Sequence, residues 1–192
     1  MSTDTIQNKI CELEKKIAKK KKKLIKLKQQ LPDEEIENYE FRNWQGQIVT
    51  LSELFGDSDE LILIHNMGKR CPYCTLWADG FNGIVNHMEN RAGFVVISPD
   101  DPDVQKAFAT GRGWKFKMAS CAGTSFAKDL NFMDEKEAYW PGVSALYKDD
   151  AGKIFRSAYS YFGPGDDFCS AWPFFDLLKK GINEWQPKFE YK

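Results

Sequence analysis

Ile6, Ile10, Leu13, Ile17, Leu24, Leu27 and Leu31 fall on alternating four- and three-residue steps, with Lys20 the one polar interruption. This heptad spacing predicts an amphipathic helix about 39 Å long at 1.5 Å per residue, ended by Pro32. The period then changes. Tyr39-Glu40-Phe41 and Gln47-Ile48-Val49-Thr50-Leu51 flank the turn-former Gly46 and read as a hairpin or two short edge strands. Ser52 is expected to cap a short helix, Glu53 to Phe55, that Gly56 stops. Leu61-Ile62-Leu63-Ile64 has the continuous apolar character of a buried strand. From Cys74 to about Asn90, Trp77, Phe81, Ile84, Val85 and Met88 repeat at helical steps and form one stripe. Gly93 to Ser98 is a second buried strand of parallel-sheet character, and Asp103 to Thr110 a helix stopped by Gly111. Trp114 to Phe132 reads as a strand end, a loop through Ser120-Cys121-Ala122-Gly123, and a short helix ending near Leu130. Gly142 to Tyr147 and Lys153 to Tyr159, joined by the turn at Asp149 to Gly152, form an antiparallel hairpin. Phe168 to Leu178 is a helical stretch interrupted by Pro173.

Composition sets the scale of this α/β pattern. With 192 residues, 42% hydrophobic and 14% aromatic, the chain can bury one core. The expected organisation is a basic heptad-patterned helix over residues 1–35 and one domain over 36–192. Charge is divided the same way: residues 1–30 carry +7 and the remainder −8. Lys19 to Lys23 is a run that suits nucleic acid, an anionic membrane, or the solvated back of a packing helix. The last reading is adopted, because no interleaved aromatics stand ready to stack bases. The seam then needs apolar cover, from a second copy of the helix or from the acidic body of the same or a sibling chain. A homodimer through residues 1–31, with Lys20 helping to set register, is one expected outcome. No apolar run approaches the roughly 18 residues of a membrane span, and no secretory signal opens the chain, so a cytoplasmic protein is expected. Five scattered cysteines make a poor disulfide framework.

Two of those cysteines carry the candidate chemistry. In Cys71-Pro72-Tyr73-Cys74 the thiols stand at C-x-x-C spacing between a strand and a helix. Pro72 suits the first helical turn, where its missing N–H has no partner to lose. Unpaired amides and the partial positive charge at a helix start favour thiolate over thiol, so Cys71 is the expected nucleophile and Cys74 the resolving thiol. Lowering a thiol pKa from about 8.5 to roughly 6 raises the thiolate from a few per cent to about nine tenths at neutral pH. Lys69 and Arg70 add positive charge if they point toward the sulfur. Zinc needs two further ligands, which His65, His87 and three isolated cysteines do not supply at ligand spacing. No metal and no cofactor are therefore expected. His65 is read as a hydrogen-bonded residue under the loop, His87 as about 20 Å along the helix axis from the dithiol, and Cys121 as a small buried side chain. Asp79 is expected to cap the helix or face solvent. Trp77, Trp114 and Trp172 are read as core or pocket wall. Trp140 is singled out as an apolar wall for an extended substrate.

These residues also carry a resemblance. Cys71 to Cys74 is identical to the active-site tetrapeptide typical of glutaredoxins, and Pro141 stands where thioredoxin-fold proteins keep a cis-proline facing the dithiol. The chain as a whole resembles a thioredoxin-like family long described as a domain of unknown function. The likeness runs through Leu31-Pro32, Tyr39-Glu40-Phe41, His65-Asn66-Met67-Gly68, Cys71 to Asp79, Gly113-Trp114-Lys115-Phe116, Ser120 to Phe126 and Pro141-Gly142-Val143-Ser144. It implies a three-layer α/β fold around a central mixed sheet. It also implies Cys71 and Cys74 as catalytic residues, with Tyr73, Trp140 and Pro141 as substrate contacts. The Gly-Gly and Asp with which glutaredoxins hold glutathione are not evident, and the peroxiredoxin pattern Pro-x-x-x-Thr-x-x-Cys meets Ile64 and Gly68 here. The expected activity is thiol–disulfide exchange on protein or small-molecule disulfides, with an external reductant. The alternative is an oligomerising interaction module with a vestigial or sensory dithiol, and a third reading is peroxide or quinone reduction by the same thiols.

Overall fold

The structure, a computed structural model, describes residues 2–191. Its first element is α1 (Thr3–Lys28), opened by Ser2, whose Oγ accepts the Thr5 N–H at 3.3 Å. The heptad pattern runs on to Leu31, but the helix stops at Lys28 and tightens into turns in which Gln30 and Leu31 bond back to Leu27 and Lys28. Pro32 explains the difference, because its ring disfavours helical backbone at the residue before it. No residue of α1 is buried.

Eight strands form one mixed sheet in the order β1-β8-β7-β4-β5-β6-β2-β3. Its centre is β4 (Glu60–His65), parallel to β5 (Gly93–Ser98), which is parallel to β6 (Lys117–Ser120). On the other side β4 pairs antiparallel with β7 (Gly142–Lys148), and β7 with β8 (Ile154–Tyr161). The parallel βαβ half and the antiparallel hairpin half thus meet at β4, the thioredoxin-like arrangement expected from the element order. The hairpin of β2 (Glu40–Arg42) and β3 (Ile48–Thr50) closes one edge. A strand not anticipated, β1 (Glu34–Ile36), closes the other edge against β8. Three residues with two adjacent glutamates give too short an alternation to read as a strand. β1 is held by the Arg156 guanidinium of β8, 4% exposed, which is bound to Glu34 and donates to the Leu130 carbonyl at 2.8 Å.

Alternation along the central strands splits the core in two. Leu61, Leu63, Val95 and Ile97 face Phe41, Phe55, Phe126 and Phe132 on one side. This layer is completed by α2 (Leu51–Leu54) and α5 (Phe126–Asp129). Ile64, Phe94 and Val96 face the opposite way, onto α3 (Pro72–Arg91), α4 (Pro102–Arg112) and α6 (Ala171–Asp176). Trp77, Phe81 and Val85 form the buried stripe of α3, whereas Ile84 from the predicted stripe is exposed.

Three terminators differ from expectation. Thr50 caps α2 in a reciprocal box with Glu53, and the Ser52 amide instead donates to Asn38 Oδ1. Gly111 lies inside α4, and Gly113 ends it with φ +69°, a conformation glycine adopts without strain. Pro173 falls in the first turn of α6, where no intrahelical N–H is needed, so it does not interrupt that helix. Among the described residues no helix is long and apolar enough to cross a membrane.

Gly142 is hemmed in by the neighbouring strand β8 and by Phe132. A Cβ there meets the Ser160 carbonyl and lies 2.5 Å from Phe132 Cε1. Gly142→Ala is expected to destabilise the fold by about 1–3 kcal/mol through overpacking, read as a lower thermal midpoint; Gly83→Ala, at an open helical position, should show no such loss.

Candidate active site

β4 delivers the chain to the site and a pinned loop turns it into α3. The Asn66 amide donates to the Ile97 carbonyl at 2.9 Å, and Asn66 Oδ1 accepts the Gly68 N–H at 2.8 Å. Asp100 Oδ2 accepts the Lys69 N–H at 2.7 Å, and a Cβ on Gly68 (φ +93°) would lie 2.8 Å from that oxygen. Gly68 is thus required both for its backbone angle and for the close approach of the Asp100 carboxylate. Asn66 and Gly68 entered from sequence only within the resemblance, with no role attached, and Asp100 did not enter at all. Their function depends on β5 ending beside β4, a pairing that no local motif announces.

Cys71 is the N-cap of α3. Its sulfur accepts the Cys74 amide at 3.0 Å, while its carbonyl accepts the Thr75 N–H at 3.1 Å and the Thr75 hydroxyl at 3.0 Å. Cys71 is half-buried and Cys74 buried, and both are free thiols. The Cys71 pKa is lowered from 9.0 to about 7, first by the Cys74 thiol donating to its sulfur and then by the Cys74 and Tyr73 amides, against the upward pull of burial. Cys74 is pushed strongly up, because its proton is held by Cys71, its surroundings are apolar, and a second negative charge beside the first is repelled. The expected direction therefore holds for Cys71, with the shift moderated by burial. Lys69 and Arg70 are exposed.

Aromatic side chains back this turn. Tyr73 packs on Trp77 and Trp172, with ring centroids 6.1 and 6.3 Å apart, and Trp77 packs on Phe162 at 5.3 Å. Trp77 Nε1 donates to Asp166 Oδ1 at 3.4 Å, and the Asp166 carboxylate also accepts the Gly163, Phe168 and Cys169 amides. Asp166 therefore ties the C-terminal segment to the dithiol helix.

The other candidates fall into three groups. His65 is buried, bonds Ser144 Oγ at 2.9 Å and lies between Phe132 and Phe126 at 3.6 and 5.5 Å. Burial, then the Arg156 charge, hold it well below the usual imidazole range, so it is neutral at physiological pH. Burial pushes the Cys121 thiol up to about 12, and His87 is exposed on α3. Asp79 is exposed, as one of its two readings expected, and it also pairs with Arg112 and accepts from Trp114 Nε1 at 2.8 Å. Among the described residues no three His, Cys, Asp or Glu side chains cluster in a way that could hold a metal ion.

Trp140 and Pro141 lie at the start of β7. Pro141 is not preceded by a cis bond, since all described peptide bonds are trans. Backbone pairing accounts for this. The Trp140 amide donates to the Phe132 carbonyl, Pro141 accepts from Phe162, and Gly142 pairs with both His65 and Tyr161, so the chain runs extended into the strand. Trp140 is 51% exposed and borders a depression of about 500 Å³ with Asn131, Met133, Asp134, Tyr161 and Phe162. Its other side borders a pinched cavity shared with His65, Asn66, Cys121 and Tyr139. Cys71 is on the wall of neither.

A family model for a bacterial protein of unknown function (DUF899) matches residues 4–191. The chain belongs to that family. No curated protein matches the sequence. Among solved structures, the chain is similar to peroxidoxin BcpB from Mycobacterium tuberculosis, at 22% identity and TM-score 0.52 over 63% of this chain and 80% of that one. Reduced Prx3 from Vibrio vulnificus, in complex with hydrogen peroxide, gives TM-score 0.55 at 15% identity over 69% and 88%. A peroxiredoxin-like protein from Aquifex aeolicus gives 0.52 at 18% over 67% and 74%. These likenesses establish the peroxiredoxin/thioredoxin-like fold for this DUF899 chain.

Thiolate absorbance near 240 nm should rise with a midpoint near pH 7, and the transition should be lost in Cys71→Ser. Because the folded-state pKa lies below the unfolded value, the stability contributed by the Cys71 thiolate is complete above about pH 9 and is lost as pH falls through about 7. The stability difference between the reduced protein and Cys71→Ser should shift in that window, measured by urea unfolding at successive pH values.

Proposed function

We propose that this DUF899 protein is a thiol–disulfide oxidoreductase acting through Cys71 and Cys74. The observation that carries the reading is the inequality of the two thiols: Cys71 is half-exposed and acidified by the Cys74 amide and thiol, whereas Cys74 is buried and holds its proton. In the reaction, the Cys71 thiolate attacks one sulfur of a substrate disulfide. The S–S bond breaks, the leaving sulfur departs as a thiolate and takes a proton, and a mixed disulfide remains on Cys71. Cys74 then loses its proton and attacks Cys71 Sγ. The second substrate thiol is released and the protein carries a Cys71–Cys74 disulfide. Two electrons have passed to the substrate, and an external dithiol restores the pair.

Charge explains why Cys74 acts second. Its thiol is suppressed while the Cys71 thiolate lies beside it, and that negative charge disappears once Cys71 is bonded to substrate. In this reading Tyr73, Trp140 and Pro141 are the substrate contacts. Tyr73 stands in the first turn of α3, and Trp140 presents an exposed aromatic face ahead of β7. The substrate class is a protein or small-molecule disulfide, with no cofactor in the reaction.

In an insulin-reduction assay with dithiothreitol as reductant, Cys71→Ser should lose activity to background. Cys74→Ser should accumulate a mixed disulfide seen as added mass. Wild-type activity in Cys71→Ser would refute the reading, and rapid peroxide consumption without disulfide reduction would replace it with peroxidase chemistry.

A further inference from the structure

Two apolar surfaces of this chain lie uncovered beside each other. On α1 and the turn that follows it, Ile6, Ile10, Leu13, Ile17, Leu24, Leu27 and Leu31 are each 43–57% exposed along one stripe. In the C-terminal segment Phe174, Leu177 and Leu178 are 68%, 84% and 58% exposed. Lys21 of α1 reaches Asp167, just before this segment, at 2.5 Å, so the arm passes beside the patch without covering it. Contiguous exposed apolar surface of this extent on a globular protein marks an interaction site.

We infer that these surfaces bind each other across a two-fold axis between two copies of the chain, α1 of each covering the C-terminal patch of the other. Side-by-side complementary surfaces are what an isologous dimer requires: rotation by 180° about an axis between them sets each arm on the partner's patch, twice. Charge selects this arrangement over a helix-on-helix coiled coil. In a parallel coil the heptad sets one attractive pair, Lys9 against the partner's Glu14, against two repulsive ones, Lys16 against the partner's Lys21 and Lys23 against the partner's Lys28, and it joins two segments of +7. Arm on body instead joins +7 to −8, with Asp167 and Asp176 near the patch, although Lys179 and Lys180 follow it in the chain.

Sedimentation equilibrium of the full reduced chain, from about 1 to about 100 µM, tests this. The expected mass is twice 22.1 kDa, falling toward one chain as salt rises from about 50 to about 500 mM. Leu13→Lys with Leu24→Lys on the arm, and separately Phe174→Ser with Leu177→Lys on the patch, should each raise the dimer dissociation constant at least tenfold. Unchanged near-UV circular dichroism serves as the control for folding. A dimer that survives the patch changes but not the arm changes is a helix-on-helix coil and overturns the inference. So does a wild-type chain of 22.1 kDa at every concentration, including one that instead sediments with anionic phosphatidylserine vesicles.

Discussion

The bond from the Cys74 amide to the Cys71 sulfur is both the first capping bond of α3 and a source of the thiol's acidity. A helix start has amides with no intrahelical partner, and one of them must find an acceptor. Here the acceptor is a sulfur, whose anion is favoured by that amide, by the Tyr73 amide and by the Cys74 thiol. The cap and the candidate chemistry therefore cannot be separated. Holding the sulfur at the helix start requires the preceding loop to be fixed, which explains the Asn66 turn, the positive φ of Gly68 and the Asp100 carboxylate at the Lys69 amide.

The sheet imposes a second constraint through its two faces. Ile64 and Phe94 direct one layer toward the stripe of α3, while His65 turns to the opposite layer and lies between Phe126 and Phe132. In that position His65 is desolvated and faces Arg156, so the strand leading to the dithiol brings no imidazolium with it. Acidification of Cys71 is thus local, made by its own helix turn. Arg156 serves another purpose, fastening β1 to β8 and filling the space between Leu130 and Tyr159.

Beyond this core, the chain divides into a basic arm that buries nothing and an acidic body with an exposed aromatic and leucine segment at its C-terminal end. Asp166 links that segment to Trp77 on α3. The surface inferred to bind a second copy and the helix that carries the thiols therefore share one support.

Most of the order of elements was legible in the chain. β4, β5, the α3 stripe and the antiparallel hairpin follow from apolar runs whose period is set by backbone geometry, and the C-x-x-C placement follows from Pro72 and the end of an apolar run. Local chemistry acts over a few residues, and such signals survive in sequence. What the sequence left open depends on partners distant in the chain. The three-residue β1 exists because Arg156 anchors Glu34. Thr50 rather than Ser52 caps α2 because Asn38 takes the Ser52 amide. Asp79 pairs with Arg112 and Trp114, and Pro141 runs into β7 through a trans bond, with Phe132 holding Trp140 and Phe162 holding the Pro141 carbonyl. The sequence by itself determined which segments are strands and helices and which sulfur caps α3. Tertiary structure alone decided the burial that moderates its acidity, the Asp100 carboxylate that pins its loop and the surface left for α1, since each requires groups tens of residues apart to meet.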